Sequence, residues 1–147
     1  MSISASIDVS ILKNDIYNFS AKDLLLEMID KGWKTRKNNK ICYLPLGDEL
    51  FDWIEEEISE LDLMKIILKK EQNNEIIGIV LFWEDTDIGI SMLIFQNCQV
   101  TFNITINRMK LDNVSNIDIT DINWYIKKII ICLDKFKIEE LIFNQTW

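Results

Sequence analysis

Apolar and polar positions along this chain follow two periods, and the changes between them mark out its elements. Leu24, Leu25, Met28 and Ile29 share one side of a 3.6-residue period against Asp23, Glu27 and Asp30, which predicts a first helix. Ser20 is its expected N-cap, Asp23 completes a capping-box arrangement, and Gly32 is the expected stop. A short strand is predicted over Ile41 to Leu44, just before Pro45. Leu50, Phe51, Trp53, Ile54, Ile58 and Leu61 then recur at helical spacing, predicting a second helix capped by Asp48. Glu57 falls inside the apolar arc of that helix, so it should snorkel at the edge or pair with a buried donor.

From Leu63 the spacing turns alternating, and four strands are predicted in quick succession: Met64 to Lys70, Ile76 to Trp83, Ile88 to Phe95 and Val100 to Arg108. Polar turns separate them at Gln72 to Asn74, Asp85 to Asp87 and Asn97. The two middle strands are apolar on both sides, which places them centrally; the last alternates strictly, with one face toward core and one toward water or a partner. Thr120 is the expected N-cap of a third helix, Asp121 to Phe136, whose core face runs from Ile122 and Tyr125 to Leu133 and Phe136. Trp124 and Ile131 stand two turns apart on its opposite arc, so either another element covers them or they form an apolar contact site. A last strand, Ile138 to Phe143, should join a sheet edge, with the third helix available as the crossover of a parallel return. The expectation is a single α+β domain, 1–147, with an antiparallel four-to-six-stranded meander sheet packed with about three helices.

Composition narrows the function classes. One proline and four isolated glycines leave no linker and no glycine-rich phosphate loop. Met1 to Ile16 has no basic region followed by an apolar run, and no apolar stretch is long enough to span a bilayer, so a cytoplasmic protein is expected. Cys42, Cys98 and Cys132 are odd in number and far apart, which fits reduced core residues better than disulfides or a zinc site. A pI near 4.6 argues against direct nucleic-acid binding. Lys34, Arg36, Lys37 and Lys40, with Asn38 and Asn39 among them, read as a solvated loop.

The chain contains no histidine, which removes the usual general base and the commonest metal ligand together. Carboxylate chemistry has its best local candidate in Glu84, Asp85 and Asp87 beside Trp83, yet an acidic hairpin turn serves equally as a solvent-facing device. No catalytic residue, metal or cofactor is expected. The main signal is charge. Between Asp48 and Asp62 lie eight carboxylates and no basic residue, matching the net −8 of the whole chain. On the predicted helix Glu49, Asp52, Glu56 and Glu60 face away from the apolar arc. Such a run is either a solvated face or a surface for a cationic partner. The candidate partner-binding residues are therefore Glu49, Asp52, Glu56 and Glu60, with Asp85, Asp87 and Trp83 beside them.

Three short motifs also look familiar: Gly32-Trp33-Lys34 after the first helix, the alternating Thr101 to Arg108 strand, and Asp118-Ile119-Thr120-Asp121-Ile122-Asn123-Trp124-Tyr125 opening the last helix. Together they resemble bacterial contact-dependent growth inhibition immunity proteins. The resemblance implies a small non-enzymatic cytoplasmic protein, a monomer within a heterodimer. Its partner would be the C-terminal toxin domain of a surface-delivered effector, a basic nuclease, whose active site or substrate groove it covers. No membrane contact is implied. An acidic secretion chaperone is the alternative, holding an effector segment through Trp124 and Ile131.

Overall fold

The structure is a computed structural model describing residues 3–14, 18–112 and 116–147. Met1, Ser2 and Asp15 to Tyr17 lie outside the described residues. In chain order the elements are β1 (Ser4–Ile11), α1 (Ala21–Asp30), β2 (Trp33–Lys34), β3 (Arg36–Lys37), β4 (Lys40–Tyr43) and β5 (Ile54–Glu56). They continue with α2 (Glu60–Gln72), β6 (Ile77–Trp83), β7 (Gly89–Ile94), β8 (Gln99–Ile106), α3 (Ile122–Ile130) and β9 (Ile138–Thr146). A 3-10 turn, Ile131–Leu133, prolongs α3. The strands form one antiparallel sheet in the order β3-β4-β6-β7-β8-β1-β9, with β2 paired to β6 and β5 to β4. The α+β class holds, but the nine-stranded sheet is larger than the four to six strands expected.

Register explains the single core. Ile79, Met92, Phe102, Ile7 and Phe143 stand side by side across five strands, so their side chains share one face. Leu24, Leu25 and Met28 of α1, Leu63 and Ile67 of α2, and Tyr125 and Ile129 of α3 join the same buried cluster. The neighbouring row, Ser91, Asn103, Ser6 and Asn144, looks the other way. On that outer face Asp8 accepts hydrogen bonds from Thr101 Oγ1 at 2.7 Å and Asn144 Nδ2 at 3.2 Å.

Two expected elements change type. The acidic stretch is not a helix: its middle pairs with β4 as the short strand β5, and the helix starts only after Ser59, whose Oγ accepts the Asp62 amide at 3.0 Å. The strand expected over Met64 to Lys70 is the body of that helix. Its buried positions, Leu63, Met64, Ile67 and Lys70, follow helical spacing, and the pattern is hidden because a lysine occupies the last of them. Glu57, expected at a helix edge, is simply exposed.

Other differences are of extent. β1 was not expected, although Ala5, Ile7, Val9 and Ile11 alternate with Ser4, Ser6, Asp8 and Ser10. The basic cluster is not a free loop, since β2 and β3 pair into the sheet and Arg36 Nη2 donates to the Ile58 carbonyl at 2.5 Å. Asp121 rather than Thr120 caps α3, accepting the Trp124 amide at 3.2 Å, while Thr120 is buried against Gln145 and Arg108. β9 does lie at a sheet edge, but it pairs antiparallel with β1, so α3 is no parallel crossover.

Candidate functional site

The acidic stretch begins from a fixed anchor. Lys70 is 1% exposed, and its Nζ donates to the carbonyls of Leu44 at 3.2 Å and Pro45 at 2.6 Å, with Glu75 at 3.6 Å. Burial pushes the Lys70 pKa down, partly opposed by the charges of Glu75 and Asp48. Glu75 also accepts the Gly47 amide at 2.7 Å, so the chain entering the stretch is tied at Leu44, Pro45 and Gly47. Asp48 then accepts the amides of Phe51 and Asp52 at 3.0 and 2.8 Å. That turn holds Phe51 at φ 58°, a left-handed conformation uncommon outside glycine. Trp53 comes down on the sheet over Gly78, where a Cβ would stand 2.8 Å from the indole and 2.6 Å from Leu44. β5 follows, pairing Ile54 with Tyr43 and Glu55 with Cys42.

This path sorts the eight carboxylates into two kinds. Asp48 caps its own turn, Glu56 accepts the Tyr43 hydroxyl at 2.7 Å, and Glu60 accepts the Thr35 hydroxyl at 3.0 Å. Burial, with the hydrogen bond to Glu56 and its charge, pushes the Tyr43 pKa up to about 12. The remaining five, Glu49, Asp52, Glu55, Glu57 and Asp62, are exposed and make no hydrogen bond or ion pair through their carboxylates among the described residues. Leu50, Phe51 and Leu61 are interleaved with them, exposed to 79%, 45% and 67%. Of the residues nominated from sequence, Glu49 and Asp52 therefore present free charge, while Glu56 and Glu60 support the stretch. Glu55, Glu57 and Asp62 were missed because a helical reading sends them elsewhere. Strand alternation, which turns Glu55 away from Ile54, is the signal that finds the first of them.

The turn after β6 is built differently. Lys34 Nζ lies 2.6 Å from Asp85 and holds its carboxyl below the usual carboxylate range. Lys37 pairs with Asp87, donates to the Thr86 carbonyl at 3.1 Å and sits 5.3 Å above the Phe82 ring. Trp83 is half-buried, edge-on to Trp33 at 5.3 Å and Trp124 at 6.2 Å. Lys128 rests 4.3 Å from the Trp124 ring and 5.1 Å from that of Trp83, and its carbonyl accepts Trp33 Nε1 at 3.1 Å. These contacts cover Trp124 from the core side and answer one of the two open positions on the third helix. The other, Ile131, is 43% exposed.

Among the described residues no three Cys, Asp or Glu come together as metal ligands. All three cysteines are free; Cys98 and Cys132 are buried, and burial pushes the Cys132 thiol up to about 12. No helix of the described residues is long and apolar enough to cross a membrane. Comparison with protein-family models, curated proteins and solved structures finds no match.

Proposed function

We propose that this chain is a non-enzymatic, immunity-type protein that neutralises a cognate basic toxin domain, laying the Asp48 to Asp62 stretch over its cationic active site or substrate groove. The toxin is a nuclease, as the resemblance implies, and inhibition takes place in the cytoplasm without a cofactor or direct nucleic-acid contact. One observation carries the reading: five carboxylates left unneutralised by the fold alternate with exposed Leu50, Phe51 and Leu61. Charge of one sign steers a cationic partner and speeds its approach. Apolar anchors excluded from water then supply the affinity that charge alone does not. The bonds from Tyr43 to Glu56 and from Thr35 to Glu60 hold the stretch in shape beforehand, which lowers the cost of ordering it on binding.

Calorimetric titration against a panel of basic nuclease domains tests this. Replacing Asp52→Lys and Glu55→Lys together should weaken binding to the cognate domain by about 2 to 5 kcal/mol. Asp85→Lys with Asp87→Lys should leave it nearly unchanged. Undiminished affinity in a folded D52K/E55K protein would remove the acidic stretch as the site. The chaperone alternative loses much of its contact surface, because Trp124 packs with Trp33, Trp83 and Tyr125.

A further inference from the structure

β9 ends the sheet. Eight of its nine residues, all but Glu139, pair with β1 along one edge, and among the described residues no backbone group pairs with the other. An uncovered edge of that length is a template for another strand, and proteins usually blunt it with proline, lysine, a bulge or brevity. β9 contains no proline, lysine or arginine, and its single register irregularity, opposite Ser10/Ile11, sets only Glu139 out of register and leaves Glu140 to Thr146 regular. The short edge strand β5, at the far end of the sheet, has only three residues, and two of them are glutamates.

We infer that a second copy of this chain pairs with β9 antiparallel about a two-fold axis through Ile142, joining two sheets into one. An axis normal to the sheet keeps the faces in register, and centring it on Ile142 spans β9 with its irregularity at Glu139 near one end. Ile142, 43% exposed on the outer face, then meets its own mate. Leu141 meets Phe143, and Glu140 meets Asn144. The Glu140 carboxylate thus stands opposite a carboxamide, whereas centring on Glu140 would set two glutamates face to face. This departs from the monomer expected from sequence. It is independent of the proposed function, because the acidic stretch lies at the opposite end of the sheet and stays open in both copies.

Light scattering on the eluted wild-type protein should give twice the 17.4 kDa of one chain. Ile142→Lys, which sets two ammonium groups across the axis, should give one chain with unchanged circular dichroism. Register is tested by oxidative cross-linking. Ile142→Cys brings two thiols to directly opposed strand positions, within disulfide reach, and should yield a covalent dimer. Glu139→Cys leaves its mate about 20 Å away along the strands and should not. A single-chain mass for the wild type at high micromolar concentration overturns the inference, as does cross-linking of Glu139→Cys as readily as Ile142→Cys.

Discussion

In the turn from Glu84 to Asp87 both aspartates carry a lysine, Lys34 on Asp85 and Lys37 on Asp87, and the turn closes on the Trp83 carbonyl, which accepts from the Thr86 hydroxyl and amide. Between Asp48 and Asp62 none of the ion pairs among the described residues reaches any of the eight carboxylates. Both regions look alike as charge runs in sequence. What separates them is where the basic residues of β2 and β3 are spent: the cluster that reads as a loose loop is laid beside the β6 turn and neutralises it. Charge density alone therefore does not mark a binding surface. Charge that the fold leaves unanswered, set among exposed apolar side chains, is the better criterion.

The largest expected effect breaks the turn from below. Trp33 is fully buried, contacts the rings of Trp83 and Trp124, and donates to the Lys128 carbonyl. Trp33→Ala should cost about 3 to 5 kcal/mol in urea unfolding. In the surviving folded fraction the contacts of Lys34 and Lys37 should loosen, because β2 loses its anchor on β6. A cost under about 1 kcal/mol would mean that the tryptophan cluster does not support the turn.

Next comes the support of the acidic stretch. Gly78 has no left-handed backbone requirement; it is needed because Leu44 and Trp53 occupy the space of its Cβ. Gly78→Ala should cost about 1 to 3 kcal/mol through overpacking. Since Trp53 must lift, amide exchange should rise from residue 48 to residue 57 while the β6 turn keeps its protection. Uniform exchange across both regions would show that they are not independently held.

How much of this contrast sequence could carry follows from the same residues. The first helix was legible because its signals are local: Ser20 caps it, accepting the Asp23 amide at 3.1 Å, and Gly32 at φ 118° ends it. The meander of β6, β7 and β8 was legible through alternation and polar turns. The acidic stretch was not, because its conformation is set from outside. Lys70 holds Leu44 and Pro45 from a helix 25 residues further on, and β4 recruits Ile54 to Glu56 as a partner strand. Apolar residues at helical spacing then serve unrelated ends: Trp53 covers Gly78, while Leu50 and Leu61 are exposed. Similarly, nothing local to Glu56 or Glu60 announces Tyr43 or Thr35 as its donor. The division of the region into free and engaged carboxylates needed the tertiary structure.

The smallest expected effect distinguishes the regions by sign. Asp52 sits four residues from Asp48 and three from Glu55, and none of the three forms an ion pair among the described residues, so these charges repel one another in the folded chain more than in an expanded one. Asp52→Asn with Glu55→Gln should therefore raise the melting temperature slightly at low salt. Asp85→Asn with Asp87→Asn removes the partners of Lys34 and Lys37, and should lower it slightly. Both shifts should shrink as sodium chloride approaches 1 M, where screening acts within about 3 Å. Calorimetry on the two double variants across a salt series reads the signs directly. Shifts of the same sign would show that the two acidic regions are electrostatically equivalent, and the case for a surface kept charged for a partner would lose its physical basis.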